Sequence, residues 1–133
     1  MNKLSGKIIN IKSDDHLSII ELQVGSDIFK SIVIETLETA PFLKKDANVN
    51  ALFKETEVSI AKNLSGRISL QNKMKCTIKD IKKGKLLSQL MLDYSGNNIF
   101  SIITAAAVEQ LELKKGDEVL ALVKTNEVMI TPQ

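Results

Sequence analysis

The 133-residue chain repeats itself at a spacing of 70 residues. Residues 2–60 align with residues 72–130 without a gap, and twenty of these 59 pairs are identical. The match is clearest near the end of each copy, where Ala51–Ile60 reads ALFKETEVSI and Ala121–Ile130 reads ALVKTNEVMI. An ungapped internal match of this extent indicates duplication. We therefore expect two homologous units, residues 1–62 and residues 63–133, joined at the polar Ser65–Gly66 stretch.

The pattern within each unit is mostly that of β-strands. Cys76–Ile81 and Ser88–Tyr94 alternate apolar and polar residues, as half-buried strands do, and the first unit has matching segments at Lys7–Ile11 and Ser18–Val24. The further predicted segments are the return strands 28–34 and 99–104, the helical pieces 35–40 and 105–111, and the closing strands 118–124 and 127–131. These short strands predict an all-β fold of two tandem small OB-like β-barrels, each with one short helical turn.

Composition favours a soluble protein of the cytoplasm. No apolar run approaches the roughly 18 residues that a membrane span needs. The opening MNKLSGKIIN lacks the continuous apolar core of a signal peptide. A single cysteine, Cys76, excludes an internal disulfide and fits a reducing compartment. We expect a cytoplasmic protein without a membrane partner.

Charge and residue types also narrow the function class. A nucleic-acid-binding barrel combines a basic groove with aromatic stacking platforms, whereas this chain has a net charge of +2, four Phe, one Tyr and no Trp. We therefore expect no nucleic-acid partner. We also do not expect an enzyme, because there is no Ser/His/Asp set, no phosphate-binding loop and only one histidine. That histidine, His16, stands beside two aspartates and is interpreted as a surface-loop residue rather than a metal ligand.

The second copy closely resembles a known domain. Its segment 101–130 has an Ile-Thr before a short helix, a Leu-x-Leu-Lys-x-Gly-Asp-Glu-Val turn and a closing Ala-Leu-x-Lys-x-x-x-Val-Met-Ile strand. These features resemble the Mop domain of molbindins, small cytoplasmic proteins that bind molybdate or tungstate. The same module, called TOBE, occurs in molybdate-responsive regulators and in some transporter ATPases. The resemblance covers nearly the whole chain twice, and it implies an oxyanion ligand and a homo-oligomer, either a trimer or a dimer of two-unit chains.

The resemblance also implies a set of oxyanion-binding residues. In this family the site combines the opening segment of one unit with the helix entry and closing lysine of a unit across an interface. By position, the set is Ser69, Gln71 and Asn72 on one side and Thr104, Lys124 and Thr125 on the other. Lys54 is the weaker counterpart of Lys124, because Glu55 follows it where the second unit has a threonine.

Two positions depart from the family pattern. Gln71 stands where arginine is usual, and Ala107 stands where many relatives have serine, so two donors to an anion are missing. This departure leaves a second interpretation open, namely a ligand-free interaction or sensory module derived from a molybdate-responsive regulator. The lysine-rich segment Lys82–Lys85 is interpreted as a solvated hairpin turn, with a second anion site as the alternative.

The residue types in this set suit a tetrahedral dianion. Molybdate and tungstate have no proton to donate at neutral pH, so hydroxyl, amide, backbone N–H and lysine donors are the appropriate partners. Each charged hydrogen bond contributes roughly 1.5–3 kcal/mol, and several of them can reach micromolar affinity. A lysine on a buried strand is costly unless its charge is paired. The spacing alone favours exposure of Lys124 at the strand end beside Glu127, whereas the resemblance implies a ligand role for it. The sequence separates neither molybdate from tungstate nor storage from sensing.

Overall fold

The computed structural model describes residues 1–34 and 40–133, and its strand content confirms the all-β prediction. In this part of the chain two five-stranded antiparallel sheets each curl into part of a barrel. The strands are β1 (Asn2–Asp14), β2 (Leu17–Val24), β3 (Asp27–Val33), β4 (Asn48–Phe53), β5 (Ser59–Ala61), β6 (Asn72–Lys83), β7 (Leu87–Tyr94), β8 (Asn97–Thr104), β9 (Glu118–Val123) and β10 (Met129–Pro132). One helix, α1 (Ala105–Gln110), and two 3-10 turns, Glu55–Glu57 and Thr125–Glu127, complete the described elements. None of the described helices has the length and apolarity needed to cross a membrane.

The predicted hairpins are present, and their first strands are longer than the sequence pattern indicates. β6 begins at Asn72 rather than Cys76, because its first half pairs with β9 and its second half pairs with β7. A register shift between Ile78 and Asp80 bends the strand where it changes partner. Helix α1 ends one residue before its predicted end, whereas residues 35–39 of the predicted first-unit helix lie outside the described residues.

The two units exchange their last strands. β5, from the first unit, pairs with β9 of the second unit, and β10, from the second unit, pairs with β4 of the first. The 3-10 turn before each exchanged strand packs against the other unit: Glu55–Glu57 contacts β8, and Thr125–Glu127 contacts β3. The alternating pattern predicts closing strands but not their partners, so this exchange is a feature that the structure adds. Each sheet is completed by a strand from the other unit.

One hydrophobic cluster runs through both units. Its fully buried side chains include Phe29 and Phe53 from the first unit and Met74 and Leu92 from the second. Below about 70–80 residues a lone core rarely supplies more than ~3–5 kcal/mol of stability. The exchange of β5 and β10 therefore joins two marginal cores into one.

Two buried serines fix the exchanged strands. Ser31 Oγ donates to the carbonyl of Val128 at 2.5 Å, and Ser101 Oγ donates to the carbonyl of Val58 at 2.7 Å. The repeat relates these two contacts, because the two serines are 70 positions apart in the sequence and so are the two valines. Each hydroxyl satisfies a buried carbonyl just before β10 or β5, and an unpaired carbonyl there would destabilise the fold.

Candidate functional site

Five of the six oxyanion-binding positions predicted in the second unit lie on the two segments that meet at the Asn72–Val123 pair, at one end of β6. Asn72 pairs with Val123 in the ladder between β6 and β9. Just beyond this pair, Ser69–Gln71 leads into β6 while Lys124 and Thr125 leave β9, so the two segments are neighbours. Apart from the buried Asn72 and the half-buried Thr125, these side chains are exposed. Their hydroxyl, amide and ammonium donors are therefore accessible to a ligand.

Asn72 is fully buried, and its side chain is already hydrogen bonded. Its Oδ1 accepts from the N–H of Lys30 at 2.7 Å, and its Nδ2 donates to the carbonyl of Lys30 at 2.9 Å. Lys30 lies on β3, an edge strand of the other sheet, so Asn72 satisfies backbone groups that this edge leaves unpaired. Asn2 binds the backbone of Phe100 in the same way, with both distances at 2.8 Å. In one chain, Asn72 thus positions the opening segment against the first unit.

Thr104 lies apart from this group within one chain, so the expected grouping of Thr104 with Lys124 and Thr125, opposite Ser69, Gln71 and Asn72, differs from the arrangement in a single chain, where Lys124 adjoins the opening segment. It ends β8 opposite Leu87 and caps α1, where its Oγ1 accepts from the N–H of Ala107 at 3.0 Å. The N–H of Ala105 donates to the carbonyl of Leu86 at 2.8 Å. Two amides of the helix start are therefore occupied, whereas the Thr104 hydroxyl can still donate its own hydrogen.

The corresponding position in the first unit carries a negative charge. Lys54 is exposed, and the 3-10 turn that follows it packs against β8, the strand that ends at Thr104. Glu55 replaces Thr125 and forms an ion pair with the α-ammonium of Met1. Hydrogen bonding to that ammonium lowers the pKa of Glu55, which is therefore ionised at neutral pH. A carboxylate next to Lys54 makes this position less suited to an anion than its counterpart at Lys124.

The two 3-10 turns bring Glu57 and Glu127 together where the units meet. Desolvation raises the pKa of Glu57, and hydrogen bonding and repulsion from Glu127 raise it further, while Lys54 acts in the opposite direction. Lys124 caps the turn that contains Glu127 and therefore has a carboxylate three residues away. The described ion pairs do not include Lys124.

Replacing Glu57 by glutamine should change how stability depends on pH. The folded state holds a proton on Glu57 more tightly than the unfolded chain, so this group stabilises the fold at low pH and loses that effect as pH rises through its raised pKa. Relative to wild type, Glu57→Gln should gain unfolding free energy near pH 7 and lose that gain at about pH 4. Urea unfolding at both pH values measures the difference, with Glu109→Gln on the exposed side of α1 as control. A difference independent of pH would contradict this assignment.

The structure gives the exposure of three further features that the sequence singled out. Lys82–Lys85 includes the exposed β6–β7 turn, in which the N–H of Gly84 donates to the carbonyl of Leu87 at 3.0 Å. His16 is exposed in the turn between β1 and β2. Cys76 is buried in β6, and desolvation raises its pKa to about 12, so the thiol stays protonated. No group of three or more metal-binding side chains occurs within residues 1–34 and 40–133.

Sequence reasoning did not predict the contacts that hold the two units together. The sequence does contain an indication of these contacts: in both copies the same polar residue occurs on the strand face that points to the core. These residues are Asn2 with Asn72 and Ser31 with Ser101. Buried polar side chains are hydrogen bonded, so such a pair predicts a buried contact. Its partner could not be read from the sequence, because the exchange of strands determines it.

Comparisons with known proteins identify relatives for both the second unit and the whole chain. The family model of the TOBE domain matches residues 68–130. Molybdenum-pterin-binding proteins 1 and 2 of Clostridium pasteurianum are 39% and 41% identical to this chain over 64 residues, which make up 47% of this chain and 94% of each relative. Among solved structures, the cytoplasmic molybdate-binding protein ModG with molybdate bound has a TM-score of 0.91 and 28% identity, covering 99% of this chain and 96% of ModG.

Proposed function

The chain belongs to the TOBE-domain family that includes the molybdenum-pterin-binding (Mop) proteins, and on that premise we propose that it binds molybdate or tungstate. One observation carries this proposal. The neighbouring segments Ser69–Gln71 and Lys124–Thr125 present hydroxyl, amide and ammonium donors that are accessible to a ligand. This set offers hydrogen-bond donors to a dianion that has only acceptor atoms.

The proposed ligand residues divide between two copies of the chain. One copy supplies Ser69, Gln71, Lys124 and Thr125, and another supplies Thr104, which lies on a different strand within a single chain. Asn72, expected from the sequence to be a direct ligand, is instead proposed to hold the opening segment in place, because it is buried and both polar atoms of its amide bind the backbone of Lys30. Lys54 is the weaker counterpart in the first unit.

The surface around Thr104 supports an oligomeric assembly. Leu86 and Leu87 are 81% and 57% exposed, and Leu87 lies directly opposite Thr104 in the β7–β8 ladder. Adjacent exposed apolar side chains beside a polar donor are typical of a surface that a partner covers. A trimer or dimer of two-unit chains would bury these leucines and bring Thr104 to the donors of another copy.

Replacing both leucines by glutamate should therefore affect assembly and binding together. Leu86→Glu/Leu87→Glu should yield a smaller particle by light scattering and weaken molybdate binding at least about tenfold, because the donor from the second copy is lost. Leu64→Glu, which changes an exposed leucine of the linker, is the matched control and should retain both properties. An unchanged particle mass in the double variant would contradict this interface.

Isothermal titration with four anions tests the proposed function. Molybdate and tungstate should bind with micromolar or tighter affinity. Phosphate should bind more weakly because it carries a proton at neutral pH that needs an acceptor. Sulfate should also bind more weakly, because it is smaller and reaches fewer donors at once. Equal binding of all four anions would indicate a nonselective basic surface.

A ligand-free interaction or sensory module is the second candidate. The neutral Gln71, in an opening segment where the family usually has arginine, is the observation that favours it. An intact oligomer that gives no heat with molybdate or tungstate up to millimolar concentration would establish this alternative. Under the primary proposal, the protein stores, buffers or senses the oxyanion in the cytoplasm and performs no catalysis.

A further inference from the structure

We propose that Lys30, from the first unit, supplies the second positive charge of the oxyanion site in the second unit. This inference rests on the proposed function and adds a binding residue to it. Lys30 lies on the return strand of the other unit, and no motif in the sequence connects it with Ser69–Thr125.

The contacts of β3 place Lys30 between the two segments that form the site. On one side, the Asn72 side chain binds both the N–H and the carbonyl of Lys30, which fixes the opening segment against this residue. On the other side, the Thr125–Glu127 turn packs on β3, and Ser31 Oγ binds the carbonyl of Val128. The Lys30 side chain points to the face opposite that of Ser31, and its flexible four-carbon stem would bring the ammonium to an anion held beside the opening segment that Asn72 fixes.

The charge of the ligand explains why a second cation is needed. Molybdate carries two negative charges, whereas Lys124 provides one positive charge and shares its turn with the carboxylate of Glu127. The other proposed ligands are neutral hydroxyl and amide groups. One ammonium balances half of the ligand's charge, so a second cation would strengthen the attraction.

The Lys30 ammonium is available for this role. The described ion pairs are Met1 with Glu55, Lys12 with Glu21, and Lys62 with Asp117. Glu21 faces Lys30 across the β2–β3 ladder, but it accepts from Asn10 at 2.9 Å and lies 3.9 Å from the Lys12 ammonium. Among the ion pairs of residues 1–34 and 40–133, Lys30 is therefore not engaged.

The repeat provides an internal contrast. The residue 70 positions after Lys30 is Phe100, whose backbone Asn2 binds as Asn72 binds Lys30. At the equivalent contact with the first unit, the aromatic ring of Phe100 therefore replaces the ammonium of Lys30, and Glu55 replaces Thr125. The two equivalent contacts between the units are therefore unequal in charge, and the one that brings Lys30 of the first unit towards Lys124 of the second suits a dianion.

Titration of molybdate into three variants tests this assignment. Lys30→Ala should weaken binding about five- to tenfold, as expected for loss of one partly screened charge. Lys30→Arg keeps the charge and should bind within about twofold of wild type. Lys7→Ala, exposed on β1 of the same sheet and in none of the described ion pairs, is the control for net charge and should also stay within about twofold. All three should unfold at the wild-type temperature, because Asn72 binds only the backbone of Lys30.

The outcomes separate this inference from the function on which it rests. If wild type binds molybdate and Lys30→Ala binds equally well, Lys30 is not a ligand and the proposed function stands. An equal loss in Lys30→Ala and Lys7→Ala would overturn the inference in favour of a general charge effect. Absence of binding in wild type would overturn the proposed function and this inference together.

Discussion

Replacing Lys124 by alanine should weaken molybdate binding about ten- to a hundredfold, which corresponds to loss of one charged hydrogen bond of roughly 1.5–3 kcal/mol. Lys124 is the one residue in the proposed closing segment whose side chain carries a positive charge, and it is exposed at the start of the 3-10 turn. Its side chain makes no capping hydrogen bond in the described structure, so the fold should tolerate the substitution. Isothermal titration gives the change in affinity, and thermal unfolding should remain as in wild type.

The repeat supplies a matched control for this experiment. Lys54→Ala removes the same side chain at the equivalent position of the first unit, where Glu55 adjoins it. Because this position is unsuited to an anion, Lys54→Ala should change affinity by no more than about twofold. Equal losses in the two variants would contradict the assignment of the site to the second unit.

Replacing Asn72 by alanine should lower the free energy of unfolding by about 2–4 kcal/mol, because it leaves two backbone groups of Lys30 without partners. The N–H and the carbonyl of Lys30 both bind the Asn72 side chain, which is completely buried. Urea unfolding measures the loss of stability. A change below about 0.5 kcal/mol would mean that water or another group replaces both hydrogen bonds.

Asn2→Ala is the control that separates stability from binding. Asn2 makes the equivalent hydrogen bonds to the backbone of Phe100. Asn2→Ala should therefore lower the free energy of unfolding by a similar amount. Only Asn72 holds the opening segment of the proposed site. Asn72→Ala should therefore also weaken molybdate binding. Asn2→Ala should leave the affinity of the folded protein for molybdate unchanged. Equal affinities in the two variants would remove the positioning role of Asn72.

The repeat allowed the fold class to be predicted from the sequence. Alternating apolar residues at Cys76–Ile81 and Ser88–Tyr94 correspond to β6 and β7, and Thr104 begins the short helix as expected. These features are local, since they depend on the alternation of residues along one strand or on a cap at a helix start. The exchange of β5 and β10 is not local. Both closing segments have nearly the same sequence, so the pattern gives no preference between a partner in one unit and a partner in the other.

The part of the candidate site that depends on the pairing of two neighbouring strands was predictable from the sequence. Ser69–Gln71 and Lys124–Thr125 adjoin because β6 pairs with β9, and this pairing follows from the barrel expected of each unit. Lys30 was not predictable, because it reaches the site only through the contact of one unit with the other. The buried side chain of Asn72 was likewise hidden, since its hydrogen-bond partner lies 42 residues away in the other sheet.

A crystal of the protein grown with tungstate would test the oxyanion site most directly, because anomalous scattering from tungsten locates the ion without reference to the protein chain. We expect a peak within hydrogen-bonding distance of the Lys124 ammonium and the Thr125 hydroxyl, with Ser69 and Lys30 beside it and Thr104 of a second copy completing the site. A peak at Lys54, or at the Lys82–Lys85 turn, with none at Lys124 would contradict the site proposed here.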